Sequence, residues 1–354
     1  MSERPTIKIT ADDLAHVSVA QPATAVPAPA LPPAQPGHKH YGSIHAEPEV
    51  PATDQKKRNI LLEGWFYLGV AGFAGAVVGW AICEPGFTDG RPHTWGNSWM
   101  VPSVVTAICI GFALAESIVE RSLRKALART ALALPLGVIL AFFLEIFANL
   151  VYAIGLSISA ELGAVTHRNP MAWIARGLGW TVFGVAGGSV YGILGQSAKK
   201  AKYGILGGIL GAGLGGLVFD PISMPFHGSG RLSRVIGFAL FGFFTGAAMG
   251  LVESALKDRW LYVYGGPLAG KQFILYKPTT SIGSRQQCDI YLFKDASILP
   301  DHALLVGQGN RIHLRAAGPV YVAGQPTQSR VLQNGDVIQI GRYAFRYQER
   351  LRSS

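Results

Sequence analysis

The chain has few cysteines, three among 354 residues. Cys109 falls inside an apolar run, and Cys83 and Cys288 fall in segments that we place on opposite sides of a membrane. A disulfide framework is therefore excluded, and the cysteines do not have the spacing of a zinc site. The N-terminus also lacks the apolar stretch of a cleaved secretory signal, so we expect the first apolar run to act as the anchor.

Charged residues are scarce, at 15% of the chain, and bases outnumber acids by 31 to 21. A protein that binds nucleic acid gathers its Lys and Arg on one soluble face. Here many of the bases stand in short runs between apolar segments, which is typical of membrane proteins. We therefore expect a lipid bilayer, and no nucleic acid, as a partner.

Sequence motifs of the common enzyme classes are absent or misplaced. There is no metalloprotease helix, kinase signature or metal-ligand spacing. Residues 211–216 have the glycine spacing of a dinucleotide-binding turn, but they lie inside an apolar run and do not link a strand to a helix. An intramembrane serine protease that uses Ser189 is excluded because no histidine lies within a predicted span to act as its base. We expect no enzymatic activity, metal or cofactor.

Six apolar runs are long enough to cross the hydrocarbon core, which takes about 20 residues. The loops between them alternate between basic and mixed charge, so the positive-inside rule puts both termini in the cytoplasm. We predict a multi-pass protein of the inner (plasma) membrane, with a disordered Pro- and Ala-rich tail (1–57), a six-helix transmembrane domain (58–256) and a cytoplasmic domain (257–354). The predicted spans are 60–82, 100–118, 130–154, 171–194, 203–219 and 235–256.

Small residues recur at every fourth position in most of these spans. Examples are Gly184, Gly188 and Gly192 in one span, and Gly207, Gly211 and Gly215 in the next. Such stripes let helix backbones approach closely in lipid, so we predict a Gly-rich helical bundle that either stands alone or self-associates. We expect Gly188 and Gly211 at close helix contacts. A pore or a moving helix interface is the alternative use of the same stripes.

Three polar residues fall within the predicted spans and are candidates for a functional site. Glu145 and Asn149 lie in the third span, and Arg176 lies near the start of the fourth. The sequence favours a structural Glu145–Arg176 pair over a proton or ion relay, because no line of acids or histidines continues the path across the membrane.

The pattern changes from Trp260 onward to short alternating runs separated by Gly, Asn and Pro. Their density predicts an all-β sandwich. Asn334-Gly335, between two such runs, predicts a hairpin turn. The expected fold is thus a membrane α-helical bundle of six spans followed by a β-sandwich.

Three segments of this region carry a resemblance to a known family: "SIGSRQQCDIYL", "HALL" and "VLQNGDVIQIGRYAFRY". In this order they resemble the forkhead-associated (FHA) family, over about residues 257–351. The whole chain is similar to uncharacterised bacterial multi-span membrane proteins with a C-terminal FHA domain. The resemblance implies a β-sandwich whose loops at one end bind phosphothreonine peptides, and hence a protein partner in the cytoplasm.

The resemblance also implies site residues, and the first of them is altered in this chain. Family members follow the glycine that matches Gly283 with an arginine that contacts phosphate. This chain has Ser284 there, and Arg285 comes one place late. Adjacent residues of an extended segment point to opposite sides, so Arg285 is not an equivalent donor.

Two further positions depart from the family pattern. Family members place a phosphate-binding serine where this chain has Leu299, and a peptide-gripping asparagine where it has Gly318. His302, which supports the loop in the family, is kept. A dianionic phosphate needs charge-assisted donors, and a leucine supplies none.

The sequence therefore predicts a membrane-tethered interaction or signalling scaffold whose FHA-like domain has weakened or lost phosphothreonine recognition. One alternative is a transporter or channel regulated by this domain. Another is a phosphothreonine-peptide binder that uses Arg285.

Overall fold

The computed structural model describes residues 60–91, 93–161, 170–223, 230–309 and 311–350. The tail predicted to be disordered lies outside these residues. Two short 3-10 turns, Ile60–Leu62 and Glu84–Gly86, flank the first helix. The six long helices are α1 (Gly64–Cys83), α2 (Trp95–Val119), α3 (Leu123–Glu161), α4 (Pro170–Leu194), α5 (Ala198–Ser223) and α6 (Gly230–Leu256).

All six helices are long and apolar enough to cross a membrane, which confirms the predicted fold class. Most of them extend beyond the predicted spans, because hydropathy detects only the apolar part of a helix. The 39 residues of α3 correspond to a length of about 58 Å, well beyond a hydrocarbon core of about 30 Å. Polar residues at the ends of α3 therefore continue the helix outside the core.

The helices form a ring in which each packs against the next along the chain and α6 closes against α1. Glycines make these contacts close. A Cβ atom on Gly188 would overlap the backbone of Ile205, and one on Gly211 would overlap the backbone of Phe244. The predicted close contacts at Gly188 and Gly211 are confirmed.

Large side chains occupy the centre of the ring. Phe112 of α2 is fully buried, and its ring lies within van der Waals reach of Cβ positions on both Gly72 of α1 and Gly187 of α4. Met249 of α6 is also fully buried and approaches Gly187. Dispersion packing thus fills this level of the bundle.

The C-terminal domain is a sandwich of two sheets that begins directly after α6. One sheet has the order β2-β1-β11-β10-β7-β8 and the other β4-β3-β5-β6-β9, with β3 and β4 parallel. The strands are β1 (Arg259–Gly265), β2 (Gln272–Ile274), β3 (Thr279–Gly283), β4 (Ile290–Tyr291), β5 (Ala303–Gln308), β6 (Arg311–Ala316), β7 (Tyr321–Val322), β8 (Gln325–Pro326), β9 (Ser329–Leu332), β10 (Val337–Ile340) and β11 (Tyr343–Glu349).

Alternating residues of the two sheets build the core, as the period of a half-buried strand requires. In β11, Tyr343, Phe345 and Tyr347 face inward and are fully buried. Ile282 of β3 and Leu305 of β5 face them from the other sheet. The predicted sandwich is confirmed.

The prediction of a hairpin at Asn334-Gly335 is wrong. The strand before it, β9, pairs with β6 in one sheet, whereas β10 after it pairs with β11 in the other. Gly335 has a φ of +94°, which suits a tight turn whether it joins two paired strands or two sheets. Its amide donates to the carbonyl of Tyr347 in β11. This bond holds the turn against the second sheet, where the chain continues as β10.

We predict that Gly188→Leu and Gly211→Leu each destabilise the bundle by about 1 to 3 kcal/mol or more, because the new side chain must push a neighbouring backbone away. Thermal unfolding in detergent should show lower midpoints for both variants. Ala131→Leu, at an exposed position of α3, is the matched control and should unfold like the unmodified protein. Equal midpoints for all four proteins would show that the bundle does not depend on these contacts.

Candidate functional site

Two loops at one end of the sandwich lie side by side, one following β3 and the other preceding β5. The Ser284 amide donates to the Leu299 carbonyl at 3.0 Å, and the Arg285 amide donates to the Pro300 carbonyl at 3.3 Å. Gly283 is needed at this point because a Cβ atom there would overlap the Pro300 carbonyl oxygen. The sequence positions compared with a phosphate site therefore do converge in space.

The buried side chain of His302 supports the loop before β5. Its side chain is 1% exposed, and its Nδ1 accepts a hydrogen bond from the Leu299 amide at 3.1 Å. The proton is then on Nε2, which donates to the Pro319 carbonyl at 3.0 Å. Gly318 packs directly on the imidazole ring, where a Cβ atom would overlap it. His302 thus links two loops and has no ring nitrogen left for a ligand.

Arg285 forms an ion pair with Asp301, and both side chains are about half exposed, at 49% and 54%. An exposed pair adds little stability. The pair offsets the charge of Arg285 and exposes a carboxylate at this end of the sandwich. Leu299, 43% exposed, adds apolar surface to the same loop. Sequence reasoning missed Asp301, although an acid directly before His302 was visible.

The same end of the sandwich contacts the turn between α2 and α3 and the first turn of α3. Lys125 Nζ donates to the Cys288 carbonyl at 2.7 Å, in the loop after β3. The Arg121 guanidinium lies 5.4 Å from the centroid of the Phe293 ring, in the loop before β5. The bundle thus contacts both loops of the candidate site.

A buried set of polar residues, which we call the polar joint, connects the sandwich to the ends of the helices. It consists of Glu116, Tyr191, Lys200 and Glu253 from the bundle and Tyr276 from the sandwich. Glu253 accepts hydrogen bonds from the hydroxyls of Tyr191, at 3.0 Å, and Tyr276, while Lys200 pairs with Glu116. Burial against the bundle, together with the nearby Glu253 carboxyl, raises the pKa of Tyr276. The Tyr276 hydroxyl therefore stays protonated and available as a donor.

A second set of contacts reinforces the joint near its edge. Lys277 Nζ donates to Asp289 at 2.8 Å and to Gln196, in the turn after α4, at 3.2 Å. Burial alone would raise the pKa of Asp289, but hydrogen bonds from Lys277 and from the Ser281 amide lower it below the usual value. Asp289 is thus anionic at neutral pH and orders the strand end that carries the loop after β3.

The three polar residues of the spans lie apart from this end. Glu145 is half-buried and Asn149 is exposed on α3, which is the least buried of the six helices. The Arg176 guanidinium of α4 lies 5.5 Å from the centroid of the Tyr152 ring and 5.7 Å from that of Phe219.

The register of α3 and α4 explains this placement. Gly155 packs against Ala175, which sets Arg176 level with Tyr152. Glu145 lies two turns away along α3, about 10 Å along the helix axis. The structure therefore does not bring Glu145 and Arg176 together among the residues that it describes.

Comparison with known proteins gives matches to the C-terminal domain. Residues 262–350 match the family described as "Inner membrane component of T3SS, cytoplasmic domain". The glycogen accumulation regulator GarA of Mycolicibacterium smegmatis is 36% identical over 101 residues, which are 28% of this chain and 63% of that protein. The oxoglutarate dehydrogenase inhibitor of Corynebacterium efficiens is 37% identical over 100 residues, which are 27% of this chain and 70% of that protein.

A match to a solved structure covers a similar share of the chain. The FHA domain of the CT664 protein from Chlamydia trachomatis is 26% identical, with a TM-score of 0.25, and the match covers 27% of this chain and all of that one. The chain spans less than two thirds of the M. smegmatis relative, and these matches leave most of the helical bundle uncovered.

We predict that His302→Ala destabilises the sandwich by about 2 to 4 kcal/mol, because it leaves the Leu299 amide and the Pro319 carbonyl unpaired and opens a cavity. Hydrogen–deuterium exchange should speed up at the Leu299 amide and in both loops of the site. His313→Ala, at a half-buried position of β6, is the control and should leave these amides protected. Unchanged exchange at Leu299 in His302→Ala would refute this role for His302.

Proposed function

Because its C-terminal domain belongs to the forkhead-associated family, we propose that this chain is a membrane-tethered interaction or signalling scaffold with both termini in the cytoplasm. The sandwich recognises a protein partner through its loop end, and ordinary phosphothreonine recognition there is weakened or lost. The match to the cytoplasmic domain of an inner-membrane component supports the placement of the sandwich. Two relatives are named as a regulator and an inhibitor, which supports action through binding.

The observation that carries the proposal is the Arg285–Asp301 ion pair beside Leu299. A phosphate dianion is held by charge-assisted donors in fixed geometry. Here the nearby arginine is compensated by a carboxylate, and the neighbouring loop offers a leucine instead of a hydroxyl. We therefore expect this end to hold its ligand through apolar and backbone contacts and not through a phosphate group.

The packing of the bundle favours a scaffold over a conduit. Phe112 and Met249 occupy its centre, and Gly188 and Gly211 bring helix backbones into contact instead of lining a path. A transporter or channel regulated by the sandwich would have to move these side chains apart.

We predict that the full-length protein in nanodiscs binds phosphothreonine peptides no better than their unphosphorylated twins, as measured by fluorescence anisotropy. Asp301→Asn removes the repelling carboxylate and frees Arg285, so phosphate-dependent binding should appear. The control Arg285→Ala with Asp301→Asn should abolish that gain. Micromolar, phosphate-dependent binding by the unmodified protein, lost in Arg285→Ala, would contradict the proposal and establish Arg285 as the phosphate contact.

A second pair of changes rebuilds the donors directly. Ser284→Arg with Leu299→Ser restores an arginine after Gly283 and a hydroxyl near His302. The same assay should show a gain of about 2 to 4 kcal/mol in binding of phosphorylated peptides, given incomplete additivity and the missing asparagine at Gly318. No gain would show that the loops have diverged in shape as well as in donors.

A further inference from the structure

A cavity of about 420 Å³ lies between the bundle and the sandwich, next to the polar joint. Glu116 and Arg129 line its bundle side, Lys271 and Thr280 line its sandwich side, and Leu194 contributes to an apolar part of the wall. This volume is within the usual range of small-molecule sites, about 300 to 1,000 Å³. Glu253 and Tyr276 of the polar joint also line it.

Two lysines of this wall are equally buried but differently paired. Lys200 is 7% exposed and Lys271 is 8% exposed. Lys200 Nζ pairs with Glu116 and lies 4.0 Å from the centroid of the Tyr191 ring. Lys271 Nζ lies 4.5 Å from the centroid of the Phe273 ring, and no carboxylate pairs with it within the part of the chain that the structure describes. Lys271 therefore presents an uncompensated cation to the cavity.

The nearest carboxylates are not free to compensate this charge. They are already ion-paired with other bases, Glu116 with Lys200 and Arg129, and Glu120 with Lys125 and Arg129. Burial lowers the pKa of Lys271 to about 8, although Glu120 and Glu116 act to raise it. At pH 7 most of the lysine is still charged, and a buried, unpaired ammonium group is strongly unfavourable. An anion that enters the cavity would relieve this cost.

The surroundings of Lys271 indicate which anion fits. Thr280 is 7% exposed and adds a hydroxyl to the wall, and a lysine is a compact point charge suited to phosphate. The apolar part of the wall, with Leu132 and Leu194, lies at the helix ends, where lipid headgroups meet a membrane protein. A lysine without a carboxylate partner at this level can hold the headgroup of an anionic lipid.

We propose that the cavity between the bundle and the sandwich binds a phosphoryl group at Lys271, carried by an anionic phospholipid headgroup or by a soluble organic phosphate. Its occupant joins the two domains, because the cavity walls come from both. Neither Arg285 nor Leu299 lines this cavity, although Gln287 and Asp289 of the loop after β3 do.

The test uses the full-length protein in nanodiscs and follows the midpoint of thermal unfolding. One arm adds glycerol 3-phosphate to protein in phosphatidylcholine nanodiscs, and the other replaces part of the phosphatidylcholine with phosphatidylglycerol. At least one arm should raise the midpoint of the unmodified protein, and Lys271→Met should weaken the apparent affinity about ten- to a hundredfold. Lys202→Met, an exposed lysine of α5 outside the cavity wall, is the control and should respond like the unmodified protein.

Two further readouts separate binding from folding. Without a probe, Lys271→Met should unfold at the same or a higher temperature, because it removes a buried, unpaired charge. The response of the unmodified protein should fade as the pH rises through about 8, where Lys271 loses its proton. A response to phosphatidylglycerol alone identifies a lipid headgroup, and a response to glycerol 3-phosphate identifies a soluble phosphate. No response in either arm, or equal responses with Lys271→Met, overturns the proposal.

Discussion

The buried carboxyl group of Glu253 is the contact on which the arrangement of the two domains depends. It is 7% exposed at the end of α6 and accepts hydrogen bonds from Tyr191 of the bundle and Tyr276 of the sandwich. Burying a carboxyl group is unfavourable unless donors surround it. The bundle supplies one donor and the sandwich the other, so separating the domains would leave this group with part of its hydrogen bonding unmet. The polar joint therefore makes the sandwich a fixed extension of the helices.

This fixed attachment determines what the sandwich can present to a partner. Lys125, in the first turn of α3, contacts the loop after β3, and Arg121, in the turn before α3, contacts the loop before β5. A change in the helices can thus reach the candidate site directly, and a ligand in the cavity at Lys271 would touch both domains. The loops themselves are held by His302, which bonds to the Leu299 amide and the Pro319 carbonyl.

Local patterns predicted most of the fold but less of the site. The spacing of Gly188 and Gly211 predicted close helix contacts, because backbone approach is a local property of small residues. The Glu145–Arg176 pair depended on the register of two helices, which the sequence does not specify. Asn334-Gly335 predicted a turn correctly but not the sheets that it joins. The polar joint combines residues far apart in the chain, and only the packed domains reveal that they meet.

Double electron–electron resonance between two spin labels tests whether the sandwich is held in one position on the bundle. Labels at Lys202 on α5 and Gln328 before β9 are both exposed and avoid the joint. The protein in nanodiscs should give one narrow distance distribution, because the polar joint fixes the sandwich. Tyr276→Phe removes one donor to Glu253 and should broaden it. A distribution that is already broad in the unmodified protein, or one that Tyr276→Phe leaves unchanged, would show that the polar joint does not fix the sandwich.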